Sequence, residues 1–421
     1  MSVSIETYED RKVVDLVRRL AIEDYKGPGK LEFESREKYK WLKQLGSSLW
    51  LDTGDLAAAR QVWSSEIEAL TTNNTLVNQV VQTGKMDGLI SYATKEIRKA
   101  CPGISDQEMV VEIAFLVNAR LALSLVEELG ARVSVELHPD SSGDVHRTLA
   151  YARRYYEINP DFFYVKVPLT PDGFIAVRQL SAEGIPINYT LGFSARQNYL
   201  AARFSHPRFV NVFLGRLNQL VEENGVGRPE NIGEKAALAS YETVRSLREL
   251  KSGISTLQIA ASMRNGKQVA DLAGIDVLTI PPKVAGDYLE MDITRESLRP
   301  LRSDDLTVTL DTGRAVEASA IHRLWEIDEQ FIAFVEDAVK QADQLVEGRD
   351  LVQLSAKHGV NLFHEWTKED RRIIRQKGKI PDLSQWPGAP VDDLMSISAL
   401  EAFAKDQTEL DDRIAGLAAA G

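Results

Sequence analysis

Lys166 is the residue whose setting most clearly suggests chemistry. It lies in Asp161-Phe162-Phe163-Tyr164-Val165-Lys166-Val167-Pro168, bounded by Asn159-Pro160 and by Pro171-Asp172-Gly173. A short aromatic and β-branched run with such boundaries reads as a buried strand ending in a turn. An ammonium group is costly to bury unless it is paired or gives up its proton. A desolvated lysine with a lowered pKa is what amine chemistry on a carbonyl requires. Alone, the segment fits a lysine snorkelling to a rim at least as well. The rest of the chain decides between the two. Asp52, Asn73, Glu136, Asn188, Thr190, Asn211, Arg216, Ser262 and Arg264 stand at or just past the ends of comparable runs. Turn chemistry explains any one of them, but not all of them together with a lone lysine.

The elements that must position these side chains alternate. Strand candidates are Ser47 to Asp52, Ile67 to Leu70, Ala131 to Leu137, Phe162 to Pro168, Ile185 to Leu191, Phe209 to Arg216, Thr256 to Ser262, and Val277 to Ile280. Helical patterns cover Asp55 to about Ser65 and then about 76–100, 106–130, 144–157, 172–183, 194–204 and 234–252. Eight strands separated by helices over roughly 240 residues predict a closed parallel (β/α)8 TIM barrel. Its chemistry would sit at the C-terminal ends of the strands, where the polar residues fall.

The expected organisation is a helical arm over 1–45, the barrel over 46–290, and a mostly helical extension over 291–421 packed on it. In the extension, Asp304 to Thr312 reads as a short strand or loop, and Ala318 to Leu345 has a helical period. The tail, with Pro381, Pro387 and Pro390 and an alanine-rich end, reads as a loop and helix without a catalytic motif.

Composition narrows the function. A net charge of −12 argues against nucleic acid as the main partner, although a few clustered arginines can still bind a small phosphorylated metabolite. The single cysteine, Cys101, leaves no disulfide framework or thiolate metal site. The six histidines show no metal-ligand spacing, and His138, Asp140 and Asp144 surround Pro139 and Gly143 as a loop would. No metal or cofactor is expected. No apolar run is read as reaching transmembrane length, and the N-terminus shows no signal-peptide core. The expectation is a cytoplasmic protein with neither membrane nor nucleic acid as partner.

Eight short motifs, one per strand and in order, resemble the transaldolase family over about 47–285. They are Asp52-Thr53-Gly54-Asp55; Thr71-Thr72-Asn73-Asn74, with Asn74 where the family has proline; and Ser134-Val135-Glu136-Leu137. Then come Lys166-Val167-Pro168-Leu169-Thr170 and Asn188-Tyr189-Thr190-Leu191-Gly192-Phe193-Ser194, followed by Gln197. The last three are Asn211-Val212-Phe213-Leu214-Gly215-Arg216, Ala261-Ser262-Met263-Arg264-Asn265, and Asp276 to Ile280. In the sixth, Asn211 and Val212 replace a serine and a proline.

The resemblance implies transfer of a dihydroxyacetone unit between sugar phosphates, as in the pentose phosphate pathway, by a monomer or homodimer. Lys166 would form the Schiff base with a ketose phosphate, and Glu136 would act as general acid/base through a water held with Thr190. Asp52 would take the C4 hydroxyl proton. Asn73 and Asn188 would hold the three-carbon unit, and Asn211 would reshape the pocket around it. Arg216, Arg264 and Ser262 would clamp the distal phosphate. Phe213 stands where transferring members carry Phe and the related fructose-6-phosphate aldolases carry Tyr, which implies transfer. The competing readings are an aldolase releasing free dihydroxyacetone and a non-catalytic sugar-phosphate binder.

Overall fold

Eight parallel strands close into a barrel in chain order, with the last paired back to the first. They are β1 (Ser48–Asp52), β2 (Ile67–Thr71), β3 (Arg132–Glu136), β4 (Phe163–Pro168), β5 (Ile187–Thr190), β6 (Phe209–Phe213), β7 (Leu257–Ala261) and β8 (Val277–Ile280). The computed structural model describes residues 9–250, 253–311, 313 and 321–420.

The two-residue period of a strand sorts the interior into layers. Trp50, Tyr164 and Phe209 meet there, with ring centroids 4.8 to 5.3 Å apart, and form an aromatic floor. Two residues further along the same strands stand Asp52, Lys166 and Asn211, one layer nearer the mouth. The register continues this layer sideways, because Glu136 pairs with Lys166 and Lys166 with Asn188. Apolar bulk below and polar groups above thus come from one alternation.

Several helices differ from the sequence expectation. The stretch 76–100 is two helices, Asn74–Gln82 and Asp87–Ala100, parted near Gly84, which has a φ of 82°. The strand expected over Phe209 to Arg216 ends at Phe213, and Leu214–Asn224 is a helix with Arg216 in its first turn. Helix Ala195–Leu200 continues into a π-helical turn, Ala201–Ser205. In the period expected over Ala318 to Leu345, the long helix covers only Glu329–Lys340, which starts where Asp328 accepts from the Phe331 N–H. Residues 318–320 of that stretch, 251–252 and Thr312 lie outside the described residues. The segment from Asp304 is a helical turn, Ser303–Asp305, and then loop with one bridge between Leu310 and Gly227.

A further correction concerns Asp106–Leu129, which spans 24 residues and is long and apolar enough to cross a membrane. Nearly all of that apolar stretch is buried inside the fold. Its buried Glu112 is held by both Arg154 and the Tyr151 hydroxyl, so a charge in this helix is paired within the protein.

The longest element is the C-terminal helix Val391–Ala420, which lies across the barrel mouth as a roof. Asp392 receives the Arg196 guanidinium at 2.6 and 2.7 Å and the Ser194 hydroxyl. Ser396 donates to the Leu191 carbonyl just past β5 and accepts from Gln197. Further along, Asp406 accepts from Thr75, Glu409 from Asn78, and Arg413 pairs with Asp87. Removing one partner of a buried ion pair strands the other charge at a cost of about 3–5 kcal/mol, whereas exposed pairs contribute roughly 0–1 kcal/mol. Asp392→Ala should therefore lower unfolding free energy in urea by about 3 kcal/mol or more. Arg245→Ala, at the exposed pair with Glu249, should change it by less than about 1 kcal/mol. Equal effects would show that the Asp392 pair does not anchor the roof.

Candidate active site

Lys166 is buried, and its Nζ lies 3.1 Å from Glu136 Oε2 and donates to the Thr72 carbonyl at 3.0 Å. Asp52 completes the charged layer. Its carboxylate accepts from Thr71 Oγ1 at 2.9 Å, and Thr71 is tied to Thr279 at 2.8 Å. Burial pushes both carboxyl groups above their ordinary range, while the neighbouring Lys166 pulls each back down. Two acids raised above their ordinary range beside one amine are the equipment for proton transfer.

Around this core the hydrogen-bonding capacity is left partly open. Asn188 donates to Ser134 Oγ at 3.0 Å, but among the described residues its Oδ1 has no partner, and the Thr190 hydroxyl and Arg216 Nη1 are likewise buried without one. Each such atom costs about 1–3 kcal/mol, so three together imply a site arranged for polar groups that the protein does not supply. Asn73 lines the same cavity while its Oδ1 caps helix Asn74–Gln82 through the Leu76 N–H.

The cavity, about 190 Å³, runs from Lys166 and Asp52 to a cationic end. Arg216 lies between the rings of Phe213 and Phe403, 5.9 and 5.5 Å from their centroids. Burial and the neighbouring Arg264 push its guanidinium down to about 10, against the pull of Asp406 and Glu136. Among the described residues neither arginine has an ion-pair partner. A buried cation with an unused N–H is suited to an anion. Ser262 sits beside them with a φ of 66°, a strained backbone for serine.

Of the residues singled out from sequence, Asp52, Asn73, Lys166, Asn188, Asn211, Phe213, Arg216, Ser262 and Arg264 all line this cavity. Glu136 and Thr190 are buried behind it. Asn211 is more committed than expected: it donates to the Tyr189 carbonyl at 2.6 Å and accepts from the Gly192 N–H at 3.1 Å. It clasps the turn after β5, where Leu191 has a φ of 65°. Where the sequence predicts a loop, Pro139–Ser141 is a 3-10 turn followed by a turn at Gly143, and His138 caps the Asp140 N–H and faces Asp411. Sequence reasoning missed Phe403 and Lys379 of the extension, and Gln219, which also line the cavity. Nothing in an alanine-rich helix marks one phenylalanine as a wall of a site.

The structure is a (β/α)8 barrel whose C-terminal mouth brings a buried lysine together with two carboxylates, with arginines beyond them. A sequence model of the transaldolase/fructose-6-phosphate aldolase family matches residues 49–345, and the chain belongs to that family. It is 30% identical over 287 residues to a transaldolase of Xanthomonas euvesicatoria pv. vesicatoria, covering 65% of this chain and 85% of that protein. A probable transaldolase of Thermus thermophilus is 30% identical over 262 residues, 61% of this chain and 96% of its own. One from Dictyostelium discoideum is 26% identical over 311 residues, 70% and 94% respectively.

The cationic end packs closely around Gly215. A Cβ there would lie 2.2 Å from the Ser262 carbonyl oxygen and 3.0 Å from Arg264 Cγ. Gly215→Ala must therefore push the turn after β7 away, and overpacking of this kind costs about 1–3 kcal/mol. Urea unfolding should show that loss, and inorganic phosphate should stabilise the variant less than the parent. An unchanged response to phosphate would mean that this turn takes no part in anion binding.

Proposed function

We propose that the protein is a transaldolase that carries a dihydroxyacetone unit on Lys166. The observation behind this reading is the buried Lys166 amine, 3.1 Å from Glu136 and in one cavity with Asp52 and the two arginines. The free amine attacks the C2 carbonyl of a ketose phosphate, fructose 6-phosphate or sedoheptulose 7-phosphate, and gives a carbinolamine. Glu136, acting through a water that Thr190 holds, protonates the departing hydroxyl, which leaves as water, and an iminium forms.

Asp52 then accepts the C4 hydroxyl proton. The C3–C4 electron pair flows into the iminium, an aldose phosphate leaves, and a three-carbon enamine stays on the lysine. The enamine carbon attacks the aldehyde of glyceraldehyde 3-phosphate or erythrose 4-phosphate while Asp52 returns the proton to the new hydroxyl. Addition of water frees the product ketose. Asn73 and Asn188 hold the three-carbon unit, and Arg216, Arg264 and Ser262 hold the phosphate. In this reading the iminium on Lys166 is the electron sink, the reaction is that of the pentose phosphate pathway, and the proposed location is the cytoplasm.

Phe213 supports transfer over simple cleavage, because a phenyl ring offers no hydroxyl to relay a proton to the enamine. A coupled assay with fructose 6-phosphate and erythrose 4-phosphate tests the proposal. Lys166→Met should lose about 10⁴-fold or more of the activity, and Glu136→Gln about 10²–10⁴-fold. Phe213→Tyr should raise the release of free dihydroxyacetone relative to transfer. Rapid release by the parent protein without an acceptor would point to an aldolase instead. Phosphate binding without turnover of any ketose phosphate would point to a binding protein.

A further inference from the structure

We propose that Lys379, in the C-terminal extension, is a third cation of the anion-binding end and makes the cavity selective for a doubly charged terminal phosphate. This inference rests on the sugar-phosphate reading above and adds a residue from outside the family match, which ends at 345. Lys379 lines the cavity together with Arg216, Arg264 and Gln219, and among the described residues it has no ion-pair partner.

Its place is fixed from both sides. On one side, helix Lys368–Lys377 is tied to the roof by Arg375, which donates to the buried Glu401 at 2.7 Å, and Arg371 lies 3.8 Å from the same carboxylate. The chain then turns at Gly378, whose φ of 103° favours glycine. On the other side, Ile380 is buried, and Asn224 donates to the Pro381 carbonyl at 3.0 Å and accepts from the Leu383 N–H at 2.8 Å. Asn224 ends the helix whose first turn carries Arg216. One helix therefore sets the inner arginine and clamps the segment that presents the lysine. Lys379 itself is exposed at the rim, and these contacts hold its backbone beside the cavity that its side chain lines.

Charge explains what a third cation adds. A phosphate monoester carries about −1.5 to −2 near neutral pH, and Asp406 and Glu136 already offset part of the charge of the two guanidiniums. The roof carboxylate Asp406, which acts on Arg216, also accepts from Thr75. Two guanidiniums and an ammonium favour a dianion over a monoanionic or neutral group of similar size, and the lysine at the rim also draws anions in.

Titration calorimetry of the full-length protein with inorganic phosphate at several ionic strengths tests this. Lys379→Met should weaken binding about tenfold, the equivalent of one charge-assisted contact, and flatten the dependence on salt. Lys379→Arg should recover most of the affinity. The ratio of kcat/KM for fructose 6-phosphate to that for unphosphorylated fructose should fall by a similar factor in Lys379→Met. Phosphate affinity and salt dependence unchanged in Lys379→Met would overturn the inference. So would a loss that Lys379→Arg does not recover, since that marks a structural role. If the parent protein binds no phosphate, the sugar-phosphate reading itself fails.

Discussion

A lysine amine sealed inside a barrel must be balanced by its neighbours, and this requirement shapes the mouth of the fold. Lys166 stands between Glu136 and Asp52, so burial of the cation and burial of the two acids offset one another. The aromatic layer of Trp50, Tyr164 and Phe209 closes the barrel beneath them and keeps the exchange of charge at one level. Because the side-chain period of a strand is two, a residue that packs the floor necessarily puts its next-but-one neighbour into the charged layer. Packing and chemistry therefore share the same strands.

The roof helix extends this logic outward. Its anchors touch the segments that follow β2 and β5, so closure of the cavity depends on groups spread around the rim. The Asp392–Arg196 pair is a buried charge pair, whose net contribution to stability is commonly small and whose better-attested role is to fix one arrangement. The same helix carries Phe403, whose ring lies 5.5 Å from the Arg216 guanidinium. Arg216 under that ring, with no ion-pair partner among the described residues, gives the cavity its polarity, acidic at the lysine end and cationic at the other.

Much of this was legible in the sequence. Eight short apolar runs, seven of them with a candidate polar residue at or near the C-terminal end, carry both the barrel and most of the cavity lining. The boundaries that went astray have local causes. Phe209 to Arg216 contains no breaker before its glycine, so nothing announces that a helix begins at Leu214. The single Gly84 parts a stretch that otherwise keeps one helical period. Asp106–Leu129 is interrupted by scattered polar residues that hide how long its apolar run is. The commitment of Asn211 to backbone groups on a neighbouring turn depends on geometry between strands, which spacing does not encode. The extension was the least legible part. Arg196 and Asp392 are far apart in the chain, and Phe403 and Lys379 have ordinary neighbours, so only the folded arrangement brings them to the site.

The most direct test of the central claim is borohydride reduction in the presence of fructose 6-phosphate, followed by peptide mass spectrometry. The account predicts a reduced dihydroxyacetone adduct on the peptide containing Lys166 and on that lysine. An adduct on a different lysine, or none with any ketose phosphate while the protein remains folded, would contradict it.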